Sequence, residues 1–275
     1  MTVKDILVAY DGSDAADHML RHVLTLAERE DAHVTGALVH GLSAIMAQLG
    51  PYASPQVEEV LYAQDAEDRA RIRARFRETV GKAMTEANKA HFIDRQGPPD
   101  ESLATMARLY DFVAMPVAGK GKAHFVSHPD VVVDRSGRPL LLVPEAEGAS
   151  PVPKKVVIAW DGKRAASRAM TGAMPMLGAV EKLHVVEVGK PHSDFDPSVD
   201  EVVRYLGRHR LPAEAVRLQP TREGVAATIL GHAHDMGADL LVMGAYEHSK
   251  IAEDLFGGVT NHVLHNANLP VLMAH

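Results

Sequence analysis

Residues 6–12 read ILVAYDG, and residues 156–162 read VVIAWDG. In each run three branched or long aliphatics lead into Ala, an aromatic residue, Asp and Gly. An unbroken aliphatic run of this length is the pattern of a strand covered on both faces, as in a parallel sheet. Asp-Gly is turn chemistry. The small residues that follow, Ala15-Ala16 in one run and Ala165-Ala166 in the other, suit the opening of a helix packed closely on that strand. Each run therefore predicts a strand, a tight turn and a helix.

The correspondence extends outward. Tyr110-Asp111-Phe112-Val113-Ala114-Met115 matches Ala238-Asp239-Leu240-Leu241-Val242-Met243, and Arg138-Pro139-Leu140-Leu141-Leu142-Val143 matches Leu269-Pro270-Val271-Leu272-Met273-Ala274. Three matched segments in one order identify a duplication, with its join in residues 145–153, EAEGASPVP. The expected domains are residues 1–146 and 153–275.

Within the first copy, a strand at residues 6–10 precedes an amphipathic helix carrying Met19, Leu20, Val23, Leu24 and Ala27 on one face. A strand at 34–39 follows. A long helix is expected over 55–90, with Ile72, Phe76, Val80, Ala83 and Met84 as its apolar stripe. A short strand at 91–95, a helix at 101–109 and strands at 112–117 and 140–143 complete the copy. The second copy repeats this order, with a shorter second helix near 197–209. The apolar stretch 42–49, LSAIMAQL, reads as a buried helix, with an assembly surface as the alternative. Strands alternating with helices give an α/β fold of two doubly wound, five-stranded parallel-sheet domains.

Composition narrows the function. The 275 residues are 46% hydrophobic and 24% charged, as in a globular protein, with a net charge of −7 and no basic half. That disfavours nucleic acid as a partner. The absence of cysteine removes disulfides, thiolate zinc sites, iron–sulfur clusters and cysteine nucleophiles. Neither a secretory leader nor an apolar run long enough to span a membrane is evident, so a soluble, cytoplasmic protein without membrane partners is expected.

In doubly wound sheets ligands sit at the carboxyl ends of the strands, where strand order reverses. Asp11 and Asp161 fall at such ends. Each could accept a hydrogen bond from a ribose hydroxyl or an adenine amino group, or simply make the turn and cap the helix. Met243-Gly244-Ala245-Tyr246 closes a buried strand, and Gly257-Gly258-Val259-Thr260 opens a helix expected over 259–266. Amides at that helix start favour an anion, and Thr260 adds a hydroxyl. Ala159, two residues before Asp161, joins the candidate set. His18/His22 and His262/His265 have helical spacing but no acidic ligand at a matching offset, so they read as surface histidines rather than a metal site. Arg69, Arg71, Arg73, Arg75 and Arg77, interspersed with acids, read as a solvated helix face. Nothing supports covalent catalysis.

These motifs resemble the universal stress protein family over essentially the whole chain, as two tandem copies. The family pattern is an opening strand ending in Asp, then Gly, two residues, Gly, nine residues, Gly and a Ser or Thr. Gly244 and Gly257 hold the first and third glycine positions, whereas Glu247 replaces the second glycine and Gly258 the hydroxyl residue. In the first copy Pro116 replaces the first glycine, Val126-Ser127 the glycine pair, and Pro129 stands opposite Thr260. The resemblance implies an adenine nucleotide alpha hydrolase-like fold, with the two copies paired as a pseudo-dimer that could pair again into a homodimer.

Some family members bind ATP and others do not. The reading that follows is a stress-response regulatory protein, not an enzyme, acting on protein partners still unknown. Its second copy would hold ATP or another adenine nucleotide, with or without Mg²⁺. In that reading Asp161 contacts ribose or base, Gly244 admits the α-phosphate, and Gly257, Gly258 and Thr260 hold the distal phosphates. A nucleotide-independent interaction module and a slow ATPase are the alternatives.

Overall fold

A computed structural model describes residues 2–41, 54–117, 128–145, 149–189, 195–245 and 258–275. The first copy runs β1 (Asp5–Ala9), α1 (Asp14–Glu30), β2 (His33–His40), α2 (Pro55–Ala83), β3 (Ala90–Gln96), α3 (Pro99–Ala107), β4 (Phe112–Pro116), α4 (Pro129–Ser136) and β5 (Leu140–Val143). The second runs β6 (Lys155–Ala159), α5 (Arg164–Ala173), β7 (Lys182–Val188), α6 (Val199–Arg208), β8 (Ala213–Leu218), α7 (Val225–Met236), β9 (Leu240–Gly244), α8 (Gly258–Asn266) and β10 (Val271–Ala274). The long second helix stops at Ala83, short of the expected residue 90, because Met84 turns extended and a short 3₁₀ turn intervenes before β3. Residues 42–49 lie outside the described residues.

The strands form a ten-stranded sheet in the order β3-β2-β1-β4-β5-β10-β9-β6-β7-β8. Pairing is parallel within each copy and antiparallel at the seam between β5 and β10. At the seam Leu142 faces Val271, Leu141 faces Leu272 and Leu140 faces Met273. In the sequence match Leu141 corresponds to Leu272, so a pseudo-two-fold axis passes through this pair and each copy presents the same edge to the other. That is isologous pairing, achieved within one chain.

Alternation along the strands covers both faces. Ile6, Val8, Val156 and Ile158 point into an apolar layer under α1, α2, α5 and α6, and this layer is continuous across the seam. Leu7 and Val157 point the other way, against α3, α4, α7 and α8. Strand order reverses between β1 and β4 and again between β6 and β9. Local chemistry fixes the helices at those points. Ser13 caps α1 by accepting from the Ala16 amide at 3.1 Å, and Gly12 and Gly162 make the preceding turns at φ of 75° and 82°.

Candidate functional site

The switch point of the second copy holds a cavity of about 220 Å³. Ala159, Asp161, Gly244, Gly258 and Thr260 all line it, so five of the six residues singled out in the sequence come together here. Gly257 lies outside the described residues, as does Glu247.

Each position has a local cause. β6 extends beyond Ala159 through Trp160, whose amide donates to the Val186 carbonyl at 2.8 Å. The Trp160 indole is buried, and its Nε1 donates to the Pro197 carbonyl at 2.8 Å, which fixes this wall of the cavity. Asp161 then turns the chain, with its Oδ1 accepting from the Lys163 amide at 3.0 Å. Asp11 does the same for Ser13 at 2.9 Å in the first copy. The turn-making role considered for both aspartates is therefore real. In the first copy, however, Ser13 rather than Asp11 accepts from the first turn of the helix. Asp161 is exposed and lines the cavity.

Gly244 ends β9 directly against the start of α5. A Cβ there would stand 2.7 Å from the Ala166 nitrogen and 2.9 Å from the Ala165 carbonyl carbon, both backbone atoms. The glycine therefore permits the contact between strand end and helix start. Gly258 differs: a Cβ would meet nothing within 4 Å, so its lack of a side chain leaves open space over the cavity. Thr260, in the first turn of α8, is 5% exposed and lines the cavity. Among the described residues its hydroxyl has no side-chain hydrogen bond.

Sequence reasoning missed the apolar wall, formed by Val186, Val188, Val225, Ile229 and Met243. It also missed Lys163, the half-buried N-cap residue of α5, which lines the cavity where the first copy has Ser13. Laying the two copies over one another would have exposed that exchange. Apolar walls with a few placed polar groups are the usual make-up of a small-molecule site.

The first copy lacks these features where it can be compared. Pro116 ends β4 where Gly244 ends β9, and Pro129 opens α4 where Thr260 stands in α8. Val126 and Ser127 lie outside the described residues. Its turn is covered by α2, with Ile72 Cγ1 2.9 Å from where a Cβ on Gly12 would lie. The arginines of α2 are not simply a solvated face. The Arg75 Nε donates to the Asp17 Oδ2 at 2.6 Å, and Asp17 also accepts from the buried Tyr10 hydroxyl and from the Thr79 hydroxyl at 3.2 Å. Burial, reinforced by Asp17, pushes the Tyr10 hydroxyl well above the usual tyrosine range. Arg69 bridges Asp65 on its own helix, at 2.7 Å, and Asp94 on β3, at 3.2 Å.

Nor are the histidines uniformly superficial. His40 and His184 are buried, and burial lowers His184 and its neighbour His232 below the usual imidazole range. Among the described residues no group of three or more His, Asp or Glu side chains is placed to hold a metal ion. Among them, too, no helix is long and apolar enough to cross a membrane.

The universal stress protein family model matches this chain twice, over residues 2–144 and 153–275. The chain belongs to the universal stress protein family. The universal stress protein Slr1230 of Synechocystis sp. is 23% identical, with 98% of this chain and 99% of that protein covered. A universal stress protein from Archaeoglobus fulgidus superposes with a TM-score of 0.74 at 17% identity, covering 100% of this chain and 99% of that one. A putative universal stress protein from Pseudomonas aeruginosa gives a TM-score of 0.54 at 14% identity, over 98% and 92% of the two chains. These structural likenesses establish the tandem fold; the cavity has to be read from its own residues.

Proposed function

We propose that this tandem universal stress protein is a cytoplasmic stress-response regulator that acts by binding an adenine nucleotide in its second copy. The observation that carries the reading is the convergence of Asp161, Gly244, Gly258 and Thr260 on one cavity. The apolar wall suits a purine ring. The Asp161 carboxylate suits ribose hydroxyls or an amino group, and Thr260 with the start of α8 suits phosphate oxygens. Binding rather than turnover is favoured because Asp161 is the one carboxylate among the described lining residues, and it is already committed to the turn at Lys163. The first copy would serve as the structural partner across the β5–β10 seam.

Calorimetric titration of the purified chain with adenine nucleotides tests this reading. One site per chain is expected, lost in Asp161→Ala and retained in Asp11→Ala. Binding that survives Asp161→Ala and fails in Asp11→Ala would move the site to the first copy. No heat at millimolar nucleotide would favour an interaction module that works without nucleotide. Phosphate release dependent on Glu247 would restore the ATPase alternative.

A further inference from the structure

We infer that α2 is a self-complementary docking surface, on which a second molecule of this chain lays its own α2 in the antiparallel sense. The inference is independent of the nucleotide reading.

The internal repeat isolates the feature. α2 runs for 29 residues, whereas α6, its counterpart in the second copy, runs for 10. The added length is not spent on the core. The buried residues of α2 are Ile72, Phe76, Thr79 and Val80, and none is buried from Pro55 to Arg71. Val57, Val60 and Tyr62 in this extension are 46%, 63% and 49% exposed. A helix in water owes most of its stability to the packing of one face, and this half of α2 has no such face within the molecule.

Charge identifies what fits there. Residues 55–68 hold five acids and no base, and residues 69–83 hold six bases and one acid. Five of those bases each reach a carboxylate of the same molecule. The sixth, Arg77, has no acidic partner among the described residues, and Glu59 in the acidic half has no basic one. Glu59 and Arg77 are 18 residues apart in sequence. That spacing is five turns, so the two lie on one line along the helix, about 27 Å from each other. Both are exposed, as are Ala63, Ala66, Ala70 and Ala74 between them, on the side facing away from Ile72 and Thr79.

A second molecule turned end for end sets its Arg77 against Glu59 and its Glu59 against Arg77. The alanines between them let the two helices approach to about 8 Å. A parallel partner would instead place Glu59 beside Glu59 and Arg77 beside Arg77, like charges at both ends. The antiparallel pair has two-fold symmetry, so association closes at two molecules. Exposed ion pairs add little binding energy and chiefly fix orientation, so the dimer is expected to be weak and sensitive to salt.

The test is sedimentation equilibrium of the whole protein at low and high salt. A monomer–dimer equilibrium is expected, with a dissociation constant about fivefold or more higher at about 0.5 M salt than at about 0.1 M. Glu59→Arg and Arg77→Glu should each weaken the dimer by about tenfold or more, because each sets like charges together at both ends of the pair. An equimolar mixture of the two variants should form dimers with one chain of each. The double variant Glu59→Arg/Arg77→Glu should dimerise as the wild type does. Restoration in the mixture separates a lost contact from a lost fold. A wild-type chain that stays monomeric up to ~100 μM would overturn the docking surface. A dimer indifferent to either single substitution, or one that the charge exchange fails to restore, would overturn its placement on α2.

Discussion

Two glycines of the same cavity do opposite work. A methyl group on Gly244 would lie 2.7 Å from the Ala166 nitrogen, which cannot move without displacing the start of α5. Gly244→Ala should therefore destabilise the fold by about 1–3 kcal/mol, read as a lower midpoint in denaturant. Gly258 has open space instead. Gly258→Leu should leave the midpoint within about 0.5 kcal/mol of wild type while abolishing nucleotide binding. Unchanged affinity would remove Gly258 from the site. At this scale the sequence exposes residues whose type is unusual for their place, such as a strand-end Asp or a glycine beside a helix start. Lys163 was less legible, since a lysine at a helix start is ordinary until it is set against Ser13. The apolar wall was hidden for another reason. Val186, Val225 and Ile229 look like any core residues, and only the fold shows that their shared neighbour is empty space.

Element by element, the strands and helices followed from hydrophobic pattern because the inner strands are buried on both faces, while the edge strands β3 and β8 have no fully buried residue. What pattern could not supply was contact between distant elements. The arginines of α2 alternate in sequence and so look dispersed around the helix, yet Arg75 reaches Asp17, 58 residues away, beside Tyr10 and Thr79. This cluster ties α2 to α1 and to the end of β1. Asp17 is 7% exposed and serves three donors, so Asp17→Ala would leave the Tyr10 hydroxyl buried without its acceptor. The expected cost is about 2–4 kcal/mol in chemical denaturation. A loss under about 0.5 kcal/mol would show that the cluster merely decorates the helix pair. Nucleotide affinity should be unaffected, since the cluster belongs to the first copy.

Across the whole molecule the duplication in sequence becomes a two-fold relation in space. Legibility of the seam was partial. The repeat was plain, but the antiparallel register that centres on Leu141 and Leu272 involves two aliphatic strands with no distinguishing signal. The copies also meet electrostatically: His22 on α1 feels Asp239, which precedes β9. Burial foremost, and then the charge of His18, hold His22 at about 4, against the opposing pull of Asp239. The unfolded chain takes up a proton at His22 near pH 6.5, whereas the native chain does so only near 4. Stability is therefore lost as pH falls from about 6.5 towards 4, by up to about 3 kcal/mol from this residue. The depressed His184 and His232 act in the same direction. His22→Gln should flatten the fall of denaturant midpoint between pH 6.5 and 4.5, and parallel curves for the two proteins would contradict this assignment.

The central claim is that one copy binds and the other supports it. Its most direct test is a crystal structure of the chain grown with an adenine nucleotide. The account predicts one nucleotide per chain in the cavity at the end of β6 and β9, with its ribose or base at Asp161, its phosphates at Thr260 and the start of α8, and nothing at the Asp11 turn. A nucleotide bound at the first copy, or at neither copy at saturating concentration, would contradict it.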